Sequence, residues 1–534
     1  MRIFHKPTPH THVMHMMPAG LYKTFAAFFI GLIAMLSGCA DTGGLGASCD
    51  SNSECKSDLQ CVNQACVARC ERASECGDGF TCSASGLCEV SRGADGSSCD
   101  SETDCSAGLF CKLDGGDEDN DGALRASCTA DQSGHAIGQE CTNDGQCRNG
   151  TCALGHCVDL CSNERDCPRD MACLTIPRVE ANGALFRGCL PERGILTWNI
   201  PVSAPSADVL VPVPTGSVSL SLAMSVADDS QLVGATYLTS PSNDELFRRI
   251  DPLGKNKLRH TAKPSLSLLQ LPSSSAIQLE PGAYHLSLSS LRPNGQTGSA
   301  TPRLRASLRT GPVNNNGIPT DNAVLALHFH FLDLTDHPCR AGQFAGPAGQ
   351  ETLNAENVRS SDKFLDGYIR ELRSIFQGAG VALGTITYDD LKDTPSLDNV
   401  TPENLRALLA LGKYATGINV FLVRGISPVG VVAMGPTPGT AGVKGTAASG
   451  VVISLEPLCY DNWNQLARTT SHQLARYMGL FPNRDVAGVL DPISDTDGSS
   501  ENLMFFSENG GIKITAGQRS ILVASPMVEG SAAQ

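Results

Sequence analysis

The spacing of apolar positions changes character several times along the chain. Residues 24–37 form an uncharged apolar run containing Phe25, Phe28, Phe29, Ile30, Leu32, Ile33, Met35 and Leu36. Residues 41–190 have no comparable run, and their only aromatics are Phe80, Phe110 and Phe186. Between 193 and 312, apolar residues alternate with serine and other polar residues, as at 209–213, 217–222 and 284–288, with Ser, Pro, Gly and Asn as punctuation. That period of two predicts an antiparallel β-sandwich. Residues 313–322 (Val-Asn-Asn-Asn-Gly-Ile-Pro-Thr-Asp-Asn) read as a linker. Beyond them strand and helix patterns alternate. Strands are predicted at 323–334, 381–388, 418–423 and 451–455, and helices at 357–378, 402–411, 461–479 and 515–524. Such alternation indicates an α/β (α+β) domain.

Length and charge narrow the picture. With 534 residues the chain exceeds what one core supports. The formal net charge is -15. Residues 41–190 carry 25 Asp/Glu against 11 Lys/Arg, a balance of -14, so nearly all the acidity lies there. No basic stripe exists to neutralise phosphates, which excludes nucleic acid as a partner. The acidity itself reads as a solvated surface, with divalent cations as the other option.

Twenty of the 23 cysteines lie between Cys49 and Cys189; the others are Cys39, Cys339 and Cys459. That density implies an oxidising compartment. The apolar run at 24–37 follows Lys23 and has signal-peptide proportions, too short to span a membrane comfortably. It ends in Leu36-Ser37-Gly38-Cys39, which resembles a bacterial lipobox. The resemblance implies cleavage before Cys39 and acylation of its thiol, hence attachment to a membrane through lipid. Residue 40 is Ala rather than the Asp that retains some lipoproteins at the inner membrane, which points to the outer membrane or cell surface.

The clustered cysteines fall into five sets of four, at Cys49/55/61/66, Cys70/76/82/88, Cys99/105/111/128, Cys141/147/152/157 and Cys161/167/173/189. Their regular spacing indicates disulfide modules, with three connectivities open within each set. Scarce aromatics leave little material for a core, so bridges are expected to supply the stability. The absence of CxxC pairs argues against zinc ribbons. The modules resemble extracellular cysteine-rich units of the EGF-like or Dickkopf-like kind. Within the third set, Asp117, Asp119 and Asp121, followed by Gly122, resemble the start of a calcium loop without its closing Glu. Pro281-Gly282-Ala283-Tyr284 before a strand is similar to the prepeptidase β-sandwich domains of secreted peptidases.

The stretch His472-Gln473-Leu474-Ala475-Arg476-Tyr477-Met478-Gly479-Leu480-Phe481-Pro482, with Asn502-Leu503-Met504 downstream, resembles the metzincin zinc-peptidase signature H-E-x-x-H-x-x-G-x-x-H and its Met-turn. The resemblance covers residues 323–528 and implies a zincin-like fold. Residue by residue, it implies that His472 keeps the first ligand position and Gly479 the helix-ending glycine. Gln473 stands where the general-base Glu belongs, Arg476 where the second ligand belongs, and Pro482 where the third belongs. A carboxamide cannot take a proton from water, a guanidinium repels a cation, and proline has no ligating atom. No zinc and no other cofactor is expected; calcium in the cysteine-rich region is the one metal left open. Asp485, His328 and His330 are the nearest substitutes by sequence, the two histidines sharing a strand face. A Cys339–Cys459 bridge is expected to tie the first strand to the signature helix.

The chain thus divides into a signal peptide (1–38), a lipidated tether (39–48), cysteine-rich modules (49–192), a sandwich (193–312), a linker (313–322), a metzincin-like domain (323–528) and a disordered tail (529–534). The expected function is a non-catalytic cell-surface lipoprotein, its peptidase-like domain kept as a binding or structural module for an extracellular protein or peptide. An active metallopeptidase with atypical ligands, and an adhesin acting through the cysteine-rich modules, are the alternatives.

Overall fold

The computed structural model describes residues 44, 47–62, 65–71, 75, 80–82, 86–90, 93–101, 104–106, 108–114, 125–130, 133–179, 185–252, 254–274, 277–314, 319–332, 352–392, 397–439, 445–485, 488–507 and 509–531. Residues up to Arg92 form one compact unit and residues from Gly93 onward another. The signal and lipidation segment with Cys39, the acidic loop with Asp117, Asp119 and Asp121, and Cys339 all lie outside the described residues.

Each cysteine set folds as a small hairpin. The third and fourth cysteines face each other across its strands, as Cys61 and Cys66 do, and likewise Cys82 and Cys88, Cys111 and Cys128, Cys152 and Cys157, and Cys173 and Cys189. In the first, third, fourth and fifth sets these neighbours do not bridge each other. The first cysteine joins the third and the second joins the fourth: Cys49–Cys61 with Cys55–Cys66, Cys99–Cys111 with Cys105–Cys128, Cys141–Cys152 with Cys147–Cys157, and Cys161–Cys173 with Cys167–Cys189. In the second set, Cys70 and Cys88 each take part in a disulfide.

The acidity of this region has a structural use that composition does not reveal. The residue just before each second cysteine turns its side chain back to accept the backbone N–H just after the first. Glu54 accepts from Asp50 at 2.9 Å, Glu75 from Glu71 at 2.7 Å, Asp104 from Asp100 at 2.9 Å, Gln146 from Thr142 at 2.6 Å and Asp166 from Ser162 at 2.8 Å. These acceptors satisfy the first turn of each module, as a cap satisfies a helix start.

Two antiparallel sheets follow. Strands β1 (Gly194–Ile200), β3 (Ser217–Ser225), β7 (Leu266–Leu271) and β9 (Arg303–Thr310) form one, in the order β1-β9-β3-β7. Strands β2 (Ser206–Val213), β4 (Leu232–Thr239), β5 (Glu245–Arg248), β6 (Lys263–Pro264) and β8 (Gly282–Leu291) form the other, in the order β2-β8-β4-β5 with β6 also on β4. Leu220 and Leu222 of one sheet and Leu286 and Leu288 of the other belong to a single buried cluster.

That cluster corrects the expectation that the cysteine-rich region holds itself up by bridges alone. Leu154, Val158, Leu160, Ile176 and Leu190, from the fourth and fifth sets, are buried within it, as are Leu113 and Ala126 of the third. These modules contribute few apolar residues each, but they pool them with the adjacent sheets.

The last region is a mixed sheet flanked by helices. Its strands are β10 (Asn322–Phe331), β11 (Val381–Asp390), β12 (Ile418–Val423), β13 (Ala433–Met434), β14 (Val451–Ser454) and β15 (Glu529–Ser531). The order is β11-β10-β12-β14-β13, with parallel pairs except at β13, the antiparallel outer strand, and β15, which pairs antiparallel with β10. Helices α1 (Arg370–Gly378), α2 (Leu405–Leu409), α3 (Trp463–Tyr477) and α4 (Ala516–Ala524) accompany it. The helix expected at 357–378 is broken. A 3-10 turn at Asn357–Arg359 and a wide π-turn segment at Lys363–Ile369 precede α1.

The tail expected to be disordered from 529 instead begins with β15, which pairs with Asn322–Val324 of β10. Strand β12 pairs with β10 only from Leu327 on, so the start of β10 has a free edge that the tail fills. The linker is also more tightly held than its composition suggests. Asp321 pairs with Arg309 at 3.2 Å, both side chains 1 % exposed.

Candidate functional site

Helix α3 begins where Asn462 accepts the N–H of Gln465 at 3.0 Å, an N-cap that sets the helix phase. Leu466, Ala467, Leu474 and Ala475 are buried against the sheet. This phase puts Arg468, His472 and Arg476, each four residues apart, on one other face. The structure therefore brings His472 and Arg476 together as the sequence suggests, and adds Arg468, which the motif comparison missed. The signal that would have found it is simply the same spacing extended one turn back.

Arg468 is 4 % exposed and ties down the segment after Met504. It donates to the carbonyls of Leu503 at 2.9 Å, Phe505 at 3.0 Å, Ser507 at 2.7 Å and Gly511 at 3.2 Å. His472 donates from Nδ1 to the same Leu503 carbonyl at 2.8 Å. Its tautomer is thereby fixed, with the lone pair on Nε2. Burial, offset in part by the Leu503 hydrogen bond and reinforced by Arg476 and Arg468, pushes the imidazole down to about 3. His472 is thus neutral at ordinary pH. Met504 is fully buried, and its N–H is capped by Asn502 Oδ1 at 2.8 Å.

Gln473 is buried, its amide packed against Gly435 beside β13; a Cβ there would lie 3.3 Å from Gln473 Nε2. Arg476 is half-buried and reaches Thr437 Oγ1 at 3.4 Å, while its Nε has no partner. Lys263 comes from β6 to the carbonyl of the same Thr437 at 3.2 Å. Burial lowers the pKa of both cations, and Arg476 lowers that of Lys263 further. Gly479 ends the helix with φ +116, and Gln270 approaches it to donate to Met478 O at 2.8 Å. A Cβ at 479 would sit 2.3 Å from that amide, so glycine is required twice over.

The other candidates have structural partners. His328 stacks on Tyr414 and bonds Thr387 at 2.8 Å and Thr416 O at 3.1 Å. His330 donates from Nε2 to Asn419 Oδ1 at 2.8 Å. Both are cross-strand core histidines. Asp485 accepts the N–H of Val489 at 2.8 Å and closes a turn. Pro482 is half-buried. Cys459 is disulfide-bonded, while its expected partner lies outside the described residues. Among the described residues, groups of three ligand atoms within 4.8 Å of one another occur only in the cysteine sets, whose sulfurs are already bridged. The α3 face does not fit zinc: it offers one imidazole nitrogen flanked by two guanidinium groups.

No protein-family description matches the chain, and no curated protein matches it. Among solved structures, one titled "Structure of infectious bursal disease virus Gx strain" aligns over 27% of this chain and 38% of its own, at 17% identity and a TM-score of 0.13. A likeness that low carries no argument about fold or function.

Proposed function

We propose that the chain is an exported, lipid-anchored, non-catalytic surface protein whose α/β region is a degenerate metzincin-type peptidase domain kept as a binding or structural module. One observation carries the reading. Arg476 stands one turn after His472, on the same helix face, where a second zinc ligand would have to be. A half-buried guanidinium there opposes a divalent cation, and Gln473 beside it has no basic site. The turn at Leu503–Met504 beneath His472 supports the family resemblance, as does the helix-ending Gly479. The two sheets that share one core support a prepeptidase-like sandwich. The many disulfides indicate an oxidising location, and anchoring through Cys39 extends that to the membrane surface.

The test is a peptidase assay on the oxidised, exported chain with denatured protein substrates. Wild type, Gln473→Glu and His472→Ala should all be equally inactive. Cleavage by wild type that disappears in His472→Ala would establish the active-enzyme alternative. In cell fractionation, Cys39→Ala should leave the membrane fraction; unchanged retention would remove the anchor from this account.

A further inference from the structure

Two half-buried cations meet at the C-terminal end of α3 with no acid between them. Arg476 and Lys263 come from different regions of the fold, yet both attach to Thr437, one at its hydroxyl and one at its carbonyl. Among the described residues neither has a carboxylate partner. Two other withdrawn arginines do find one. Arg424 pairs with Asp398 at 2.8 Å, and Arg309 with Asp321 at 3.2 Å. Like charges withdrawn from water beside each other are unfavourable unless a counter-ion joins them. Among the described residues, no ion pair answers this positive corner.

The neighbouring backbone indicates what kind of anion fits. Strand β13 pairs with β14 on one side only and is the outer strand of its sheet among the described residues. It runs through Gly435 straight into Thr437, and residues 431–437 are half-exposed. A peptide added along that edge in extended form would pass Thr437. A carboxylate on it would reach Arg476 and Lys263, and its planar oxygens match the guanidinium fork.

We propose that this positive corner binds a carboxylate of an extended peptide between Arg476 and Lys263, with the peptide backbone along the outer edge of β13. The proposal rests on the reading of the α3 face as a binding rather than a catalytic surface. It names the ligand class: an acidic peptide.

The experiment is calorimetric titration of the full oxidised chain at low salt. The probes are a capped pentapeptide, acetyl-Val-Thr-Asp-Val-Thr-amide, its Asn counterpart, and inorganic phosphate. The Asp peptide should bind at least tenfold tighter than the Asn peptide and than phosphate. Arg476→Gln and Lys263→Met should each weaken it about tenfold, as expected for loss of one charge-assisted contact, and Lys263→Arg should restore it. Thermal unfolding of each variant guards against misfolding, and Lys263→Met, on a different region from α3, serves if Arg476→Gln does not fold. Equal binding of the Asp and Asn peptides, or no effect of either substitution in a folded protein, overturns the proposal. Phosphate binding as tightly as the Asp peptide overturns the peptide assignment. Zinc content and proteolysis on the same preparation report separately on the non-catalytic reading. A zinc-free, inactive protein that ignores the Asp peptide refutes only the peptide proposal; a zinc-loaded, active one refutes the reading beneath it.

Discussion

Arg468 and His472, one helical turn apart on α3, donate to a single acceptor, the carbonyl oxygen of Leu503. This shared oxygen couples helix α3 to the Leu503–Met504 turn. The imidazole is oriented by the turn, and the turn is held by the arginine, so the shape of the cleft is fixed by hydrogen bonds that the chain supplies itself.

Arg468→Met should therefore be among the most damaging substitutions in this region. It removes a charged donor from four carbonyls, that of Leu503 buried and the other three partly buried, a cost of about 3 kcal/mol. Urea unfolding should show that loss, and amide exchange at residues 503–507 should quicken. A lysine at 468 can satisfy only part of the fan and should fall between. Wild-type stability in Arg468→Met would show that the fan is incidental.

The Arg309–Asp321 pair makes a second test, because it joins β9 to the start of β10. Arg309 also donates to the carbonyl of Val523 on α4. Asp321→Asn strands a buried cation and should cost about 3–5 kcal/mol, whereas replacing both partners with apolar residues of similar volume should recover much of it. Equal losses for the single and double variants in denaturant unfolding would contradict this.

How legible was this in the sequence? The period-two stretches at 217–222 and 284–288 lie within observed strands, and the strand expected at 418–423 has those limits. Helix α3 falls inside the expected 461–479. These elements were readable because local pattern and burial agree. What was not readable depends on partners distant in the chain. Leu154 and Val158 look too few to make a core until β3 and β8 are placed against them. Residues 529–531 look like a tail until the unpaired start of β10 is seen. The backbone acceptors Glu54, Glu75, Asp104, Gln146 and Asp166 were visible as a repeat before each second cysteine, but total charge hid them. At the α3 face the motif located His472 and Arg476, whereas Lys263 arrives from more than 200 residues earlier and could only be found in the structure.

The pooled core makes two otherwise similar disulfides unequal. Cys55–Cys66 and Cys147–Cys157 close loops of comparable length, with sequence separations of 11 and 10. Chain entropy alone gives both about 3 kcal/mol. Replacing Cys147 and Cys157 by serine should also loosen Leu154 and Val158, and so lower the calorimetric transition of the two sheets. The same change at Cys55 and Cys66 should leave that transition in place. If both or neither shift it, the shared core is not energetically coupled.

Acid should destabilise the protein through its buried histidines. Burial holds His472 at about 3 and His260 at about 4, while in the unfolded chain both titrate near 6.5. The unfolded state thus binds more protons between those values. Their stabilising contribution is complete above about pH 6.5 and declines as the pH falls toward 4. Asp491 acts in the opposite sense. Burial raises it to about 6, so its contribution is complete below its ordinary value and is lost as the pH rises through 6. The histidines are displaced further and should dominate, so Tm should fall between pH 7 and pH 4.5. His472→Gln, which keeps a donor for Leu503 but cannot take up a proton, should flatten that slope. An unchanged slope would show that His472 is not buried neutral.

The central claim, that the α3 face does not bind zinc, is tested most directly by metal content. Elemental analysis of the oxidised chain, dialysed against micromolar zinc, should find far less than one zinc per molecule, with no change on His472→Ala. The triple variant Gln473→Glu, Arg476→His, Pro482→His places the residue types of the metzincin signature at these positions and should gain zinc if the face keeps its shape. One zinc per wild-type molecule, lost in His472→Ala, would contradict the account.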